Sequence, residues 1–158
     1  MSVLNVKTAE YAVSHNDDII KTGSVGSCIV ITLYDKEKRI GGLAHAMLPE
    51  HNKKTTIGDD KKDNNAKYVT DAIDLLLEGV IKAGGQQNTL EAKLVGGASM
   101  FRRLAHEKHS IGHKNTVAAR NYLERLGINI QGEDTGGSSG KIAELNLTNG
   151  VLEVNTKL

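Results

Sequence analysis

The stretch Cys28-Ile29-Val30-Ile31-Thr32-Leu33-Tyr34-Asp35-Lys36-Glu37-Lys38-Arg39-Ile40-Gly41-Gly42-Leu43-Ala44-His45-Ala46-Met47-Leu48 decides the reading of the fold. Cys28 to Tyr34 is rich in β-branched residues, Asp35 to Arg39 is a polar turn, and Ile40 to Leu48 is a second apolar run. That pattern predicts two strands joined as a hairpin. Beyond it, His51 to Asn65 is polar, rich in Lys and Asp, and long for a structureless connection, which predicts a mobile or functional surface loop. From Ala66 the rhythm changes. Ala66, Val69, Ile73, Leu76 and Val80 recur at helical spacing, and Gly84-Gly85 supplies the stop. Leu90 to Val95 reads as a short strand ending in Gly96-Gly97. A second helix is expected from Asn115, as N-cap, to Leu126, with Gly127 as its end. Ile128 to Ile130 and Ile142 to Leu147 read as strands, and Asn149-Gly150 is the strongest hairpin signal of the chain. Mixed strands with two main helices give an α+β or α/β layered sandwich.

Composition bounds the function. The 158 residues are 39% hydrophobic and 25% charged, enough for a packed core in one domain spanning residues 1–158. Lys plus Arg number 20 and Asp plus Glu 19, a net charge of +1 that leaves no electrostatic footprint for nucleic acid or an anionic membrane. Four Tyr, one Phe and no Trp argue against a base-stacking platform. A single cysteine excludes an intramolecular disulfide and a multi-cysteine zinc knuckle. The N-terminus turns polar too early for a signal peptide, and no apolar run is long enough to span a bilayer. A soluble, cytoplasmic protein with a reduced thiol is expected.

The chemistry centres on Lys21-Thr22-Gly23-Ser24-Val25-Gly26-Ser27-Cys28, a glycine-rich loop that delivers the cysteine to the start of a strand. Such a loop can bring the backbone N–H groups of residues such as Gly26 and Ser27 close to the sulfur, as an oxyanion hole requires. The competing reading is a buried structural thiol. A hairpin loop centred between Lys36 and Glu37 sets Cys28 opposite His45, with Cβ atoms about 4.5–5.5 Å apart, as a nucleophile–base pair needs. An odd-length loop sends the two side chains to opposite faces, so register decides between the readings.

Other candidates are weaker. His106, His109 and His113 have spacing that would cluster imidazoles on a helix, but Glu107, Lys108, Ser110, Gly112 and Lys114 make the segment read as a solvated loop, and no metal site is expected. Gly140-Lys141 resembles the end of a phosphate-binding loop, yet Thr135 and Ile142 stand where glycine and Ser/Thr are required. Glu133-Asp134-Thr135-Gly136-Gly137-Ser138-Ser139-Gly140 is either a flexible turn or a wall of a binding site. Phe101, between Met100 and Arg102-Arg103, is either a core cap or an exposed aromatic anchor for a partner.

Six motifs then fall in order: Gly26-Ser27-Cys28; Ala44-His45-Ala46-Met47-Leu48-Pro49; Lys67-Tyr68; Gly96-Gly97-Ala98-Ser99-Met100-Phe101; Ile111-Gly112 with Asn115; and Glu133-Asp134-Thr135-Gly136-Gly137. Together they resemble the chemoreceptor glutamine deamidase family, the CheD proteins of bacterial chemotaxis, over roughly residues 8 to 155. The resemblance implies a layered α/β sandwich with Cys28 as nucleophile, His45 as base and Thr22 orienting the imidazole. It implies hydrolysis of glutamine side-chain amides on methyl-accepting chemotaxis receptors, with no cofactor, and a CheC-type phosphatase as partner. Gly26, Ser27, Phe101, Asp134, Thr135 and Gly136 fall in the motifs expected to meet substrate or partner. In that chemistry a neighbouring imidazolium lowers the thiol pKa. Lys114 and Lys141 stand where arginine is common, and Thr70-Asp71 is exchanged relative to the usual order, changes that bear on specificity because lysine lacks the bidentate fork. Two alternatives have other chemistry: a non-catalytic regulatory module for a CheC-type phosphatase, and a toxin-like deamidase of host proteins.

Overall fold

The computed structural model describes residues 1–50, 65–99 and 110–157. Among them are nine strands and two α-helices. The strands are β1 (Val3–Val6), β2 (Tyr11–His15), β3 (Ile19–Thr22), β4 (Ile29–Asp35), β5 (Ile40–Ala46), β6 (Leu90–Gly96), β7 (Asn129–Thr135), β8 (Gly140–Asn146) and β9 (Leu152–Lys157). The helices are α1 (Val69–Lys82) and α2 (Ile111–Arg125). One sheet has the order β1-β3-β8-β9 and the other β2-β5-β4-β6-β7. Both are mixed, because β1–β3 and β6–β7 pair in parallel and the remaining pairs are antiparallel.

Strand alternation builds two cores from one sheet. Ile29, Ile31 and Leu33 of β4 face the helices and pack with Ile73, Leu76, Leu94 and Leu123. Val30 and Tyr34 point the other way, into a second core with Ile20, Leu43, Val95, Leu145 and Leu147 from both sheets. The layers are therefore sheet, sheet, helices, the α+β sandwich expected. Tyr34 ties the sheets, its hydroxyl donating to the Leu147 carbonyl at 2.8 Å.

α1 buries Val69, Ala72, Ile73, Leu76 and Val80, the stripe legible in the sequence, although Ala66 lies before the helix. Its start is satisfied by the chain leaving β5, since the Val69 N–H donates to the Leu48 carbonyl at 2.8 Å. The β8–β9 hairpin turns at Asn149-Gly150 as expected, with Gly150 at φ 75°. The extended segment after Ile128 runs further than expected, to Thr135.

Two expectations are corrected. α2 begins at Ile111, not Asn115: the Ser110 hydroxyl accepts the His113 N–H at 3.1 Å, making serine the N-cap. Residues 110–114, read as part of a solvated loop, are the cap and first turn of that helix. The signal was masked by Gly112, a poor helix former present for proximity. A Cβ there would lie 2.6 Å from the Gly97 carbonyl oxygen. The second correction is register. Val30, not Cys28, lies opposite His45. Asp35 pairs with Ile40 because its carboxylate accepts the Glu37 and Lys38 N–H groups at 3.0 and 3.2 Å, capping a four-residue loop 36–39. The three N-terminal strands carried too little alternation, over four or five residues each, to be read in advance.

Candidate functional site

The two-residue shift in register preserves the face, because strand side chains alternate with period two. His45 lies on the inter-sheet side with Leu43 and Val30, and Cys28, immediately before β4, packs against that same inter-sheet core. Continuing the β4–β5 ladder by one pair would set Cys28 against Met47 and make it the diagonal neighbour of His45. Diagonal Cα atoms are typically ~7–8 Å apart, with Cβ atoms somewhat closer. Thr22 comes from the opposing sheet. It follows Ile20 by two residues on the same inward face and is 5% exposed. Three side chains distant in sequence thus share the inter-sheet side of the fold.

The loop before Cys28 is held by its carbonyls. Val25 exchanges backbone hydrogen bonds with Lys141 of β8, at 2.7 and 2.9 Å. The Gly26 carbonyl accepts from Ala98 N–H at 3.0 Å and the Cys28 carbonyl from Gly97 N–H at 2.7 Å. The Ser27 carbonyl accepts from the Asn115 side-chain amide at 2.9 Å. With the carbonyls turned back into the fold, the Cys28 N–H faces its own sulfur. Gly96, at φ 108°, makes this approach feasible, since a Cβ there would sit 2.5 Å from the Cys28 carbonyl oxygen.

Burial sets the electrostatics. The Cys28 thiol is half-buried, and desolvation pushes its pKa above the ordinary thiol value, outweighing its own backbone N–H, which favours the thiolate. His45 is 2% exposed, and desolvation pushes its pKa below the usual imidazole value. At neutral pH both groups are therefore uncharged, the reverse of the thiolate–imidazolium pair expected from the sequence. Neither His45 ring nitrogen has a hydrogen-bond partner among the described residues. The Thr22 hydroxyl donates to the Gly23 carbonyl at 2.7 Å and not to the ring.

The other expected site residues form a separate group. Asp134, Thr135 and Gly136 end β7 beside Gly96, with Thr135 in register with it and the Gly136 N–H on the Gly96 carbonyl at 2.9 Å. Asp134 forms an ion pair with Lys141. Thr135 and Gly136 line a cleft of about 190 Å³ on the α2 side, with Gly97, Ser99, His113 and Arg120. That cleft does not include Cys28 or His45. Gly96-Gly97 is the link between the two groups. Phe101, His106, His109 and all but Asn65 of the expected His51–Asn65 loop lie outside the described residues. His113, in the first turn of α2, joins no metal-ligand cluster among the described residues.

One residue was misread in the sequence. Asn115 is fully buried one turn inside α2, and its amide also donates to the Met47 carbonyl at 2.9 Å. The available signal was its spacing with Ala119 and Leu123, which puts a polar residue on the buried stripe of the helix.

Comparison with known proteins identifies the family. The family model described as CheD chemotactic sensory transduction matches residues 47–156, beginning two residues after His45. Matches to individual relatives cover 96–98% of the chain and so extend across residues 22–45. The chain is 44% identical to "Probable chemoreceptor glutamine deamidase CheD" of Pyrococcus horikoshii over 154 residues, 98% of this chain and 92% of that protein. It is 39% identical to "Probable chemoreceptor glutamine deamidase CheD 2" of Geobacter metallireducens, over 96% of this chain and 92% of the relative. With the chemoreceptor glutamine deamidase CheD of Bacillus subtilis, identity is 36% over 98% of this chain and 91% of the relative. By family match and by near-complete coverage of its relatives, the chain belongs to the CheD family.

Proposed function

We propose that this protein is a cytoplasmic amidohydrolase, one domain over residues 1–158, that converts glutamine side chains of chemotaxis receptors to glutamate through Cys28, His45 and Thr22. The observation that carries the reading is His45: a buried imidazole, both nitrogens without partners among the described residues, on the same inter-sheet face as the only cysteine. Buried polar groups in folded proteins are nearly always bonded, and an orphaned one at a cysteine is suited to receive a proton in the reaction. Relatives bearing the name chemoreceptor glutamine deamidase supply the substrate class.

The burial of both groups favours a neutral pair. As the sulfur attacks the amide carbon, the thiol proton passes to His45 and an S–C bond forms. The developing oxyanion is met by backbone N–H groups of the Gly26–Cys28 loop. Collapse breaks the C–N bond, and His45 returns its proton to the leaving nitrogen, releasing ammonia and leaving a thioester. His45 then takes a proton from water, hydroxide attacks the acyl carbon, and glutamate leaves as the thiol is reprotonated. The Thr22 hydrogen lies toward the Gly23 carbonyl, so its oxygen keeps lone pairs free to accept. It would accept from one imidazole N–H and keep the other nitrogen free as base.

The test is mass spectrometry of a purified receptor cytoplasmic fragment incubated with the protein. Conversion of glutamine to glutamate adds about 1 Da, and a gain seen with wild type but not with Cys28→Ala or a mock incubation identifies a thiol-dependent deamidase. An unchanged receptor mass with the folded wild-type protein rejects the reading in favour of a non-catalytic module.

A further inference from the structure

We propose that Asn115 is a positioning residue for the Cys28–His45 pair, an inference that rests on the function proposed above. β4 and β5 pair only as far as Ile29 and Ala46. Beyond that point Cys28 has no ladder partner on the β5 side, although its thiol and the His45 ring must come within hydrogen-bond distance to exchange a proton. The Asn115 Nδ2 bridges the gap. It donates to Ser27, the residue before the cysteine, and to Met47, two residues after the histidine, at 2.9 Å each.

Both acceptors are carbonyl oxygens, so the amide can face them only with its nitrogen. Asn115 Oδ1 is left buried and without a partner among the described residues. Leaving an acceptor unpaired costs stability, so a residue chosen for packing alone would be apolar here. What the side chain supplies is two donors from one atom, in a place where α2 reaches both chain segments. Aspartate has the same shape and, ionised, no donor; alanine has neither shape nor donor.

The test is the second-order rate of Cys28 alkylation by iodoacetamide at pH 7, in wild type, His45→Ala, Asn115→Asp, Asn115→Ala and each Asn115 variant combined with His45→Ala. This measurement needs no receptor. In wild type, His45→Ala is expected to slow alkylation. In either Asn115 variant the same histidine change is expected to alter the rate by less than about twofold, the signature of lost coupling in a double-mutant cycle. The pH profile of alkylation should also revert to a single thiol titration. A folded Asn115 variant that keeps the full wild-type dependence on His45 overturns the role of Asn115 alone. If His45→Ala is without effect in wild type, the pair itself fails, and this proposal with it. Should both variants fail to fold, Asn115→Ser, whose hydroxyl can serve one carbonyl, takes their place under the same criterion.

Discussion

At the scale of single residues, Cys28 and His45 are governed by burial. Desolvation raises the thiol pKa and lowers that of the imidazole, so the acid limb of the pH–rate profile should lie below the ordinary histidine value near 6.5. The sign follows from the base: His45 works when neutral, and a depressed pKa keeps it neutral to lower pH. A profile of kcat/KM with an acid limb above 7 would contradict the assignment. Cys28→Ala should lower turnover by ~10⁴-fold or more with the melting temperature little changed, as removal of a nucleophile does in other hydrolases. Near-wild-type turnover in a folded Cys28→Ala protein would remove the thiol from the mechanism. The pairing of these residues was offered by the sequence as one of two readings, and their roles were implied by the resemblance to the CheD family. Their protonation states were not legible, since those depend on the desolvation supplied by a second sheet and by strands β1–β3, which gave no sequence signal.

At the scale of elements, the turn between β4 and β5 sets the register, and Asp35 is its organiser. The carboxylate is fully buried and accepts the N–H groups of Glu37 and Lys38, the Gln86 N–H at 2.9 Å and the Thr89 hydroxyl at 2.8 Å. Burial by itself would raise its pKa, but these four donors together hold it below the usual aspartate value. A lowered folded-state pKa means stabilisation that is present above the unfolded value and is lost as pH falls through the folded one. Asp35→Ala should therefore cost about 3 kcal/mol near neutrality, and less below about pH 4, by denaturant titration at several pH values. A cost independent of pH would show that the packing of the turn, not the carboxylate, matters. This contact also explains the error in register. The sequence shows a polar turn and leaves its parity open, and the even loop observed gives the shared face of residues 28 and 45. One carboxylate oxygen of Asp35 caps the loop, and the other is held by Gln86 and Thr89, some fifty residues away, which no local pattern reveals.

Across the whole molecule, the sheet β2-β5-β4-β6-β7 carries unlike work on its two faces. Its helix side is a conventional core, and its other side joins a second sheet that brings Thr22 and, through Lys141, the loop before Cys28. The layered architecture was legible because the apolar periods of β4, β5, β6 and α1 are long and regular. The second sheet was half hidden, since β1 and β3 are short and the polar outer faces of β8 and β9 dilute their signal. The division predicts that equal losses of stability have unequal effects on activity. Leu76, in the helix-side core, and Leu145, in the inter-sheet core, are both fully buried. Replacing either with alanine should cost about 3 kcal/mol. Leu76→Ala leaves the β4–β5 pairing and the opposing sheet in place, so the folded fraction should deamidate receptor at close to the wild-type rate. Leu145 sits between Ile20 of β3 and Leu152 of β9 in its sheet, and its loss lets that sheet settle differently against Cys28 and His45. A displacement of an ångström in a reacting constellation lowers rates by up to about 10²-fold, so Leu145→Ala should lose turnover by about tenfold or more at a temperature where both variants are fully folded. Equal activity in the two variants, with equal stability, would mean that the second sheet serves only to cover the first.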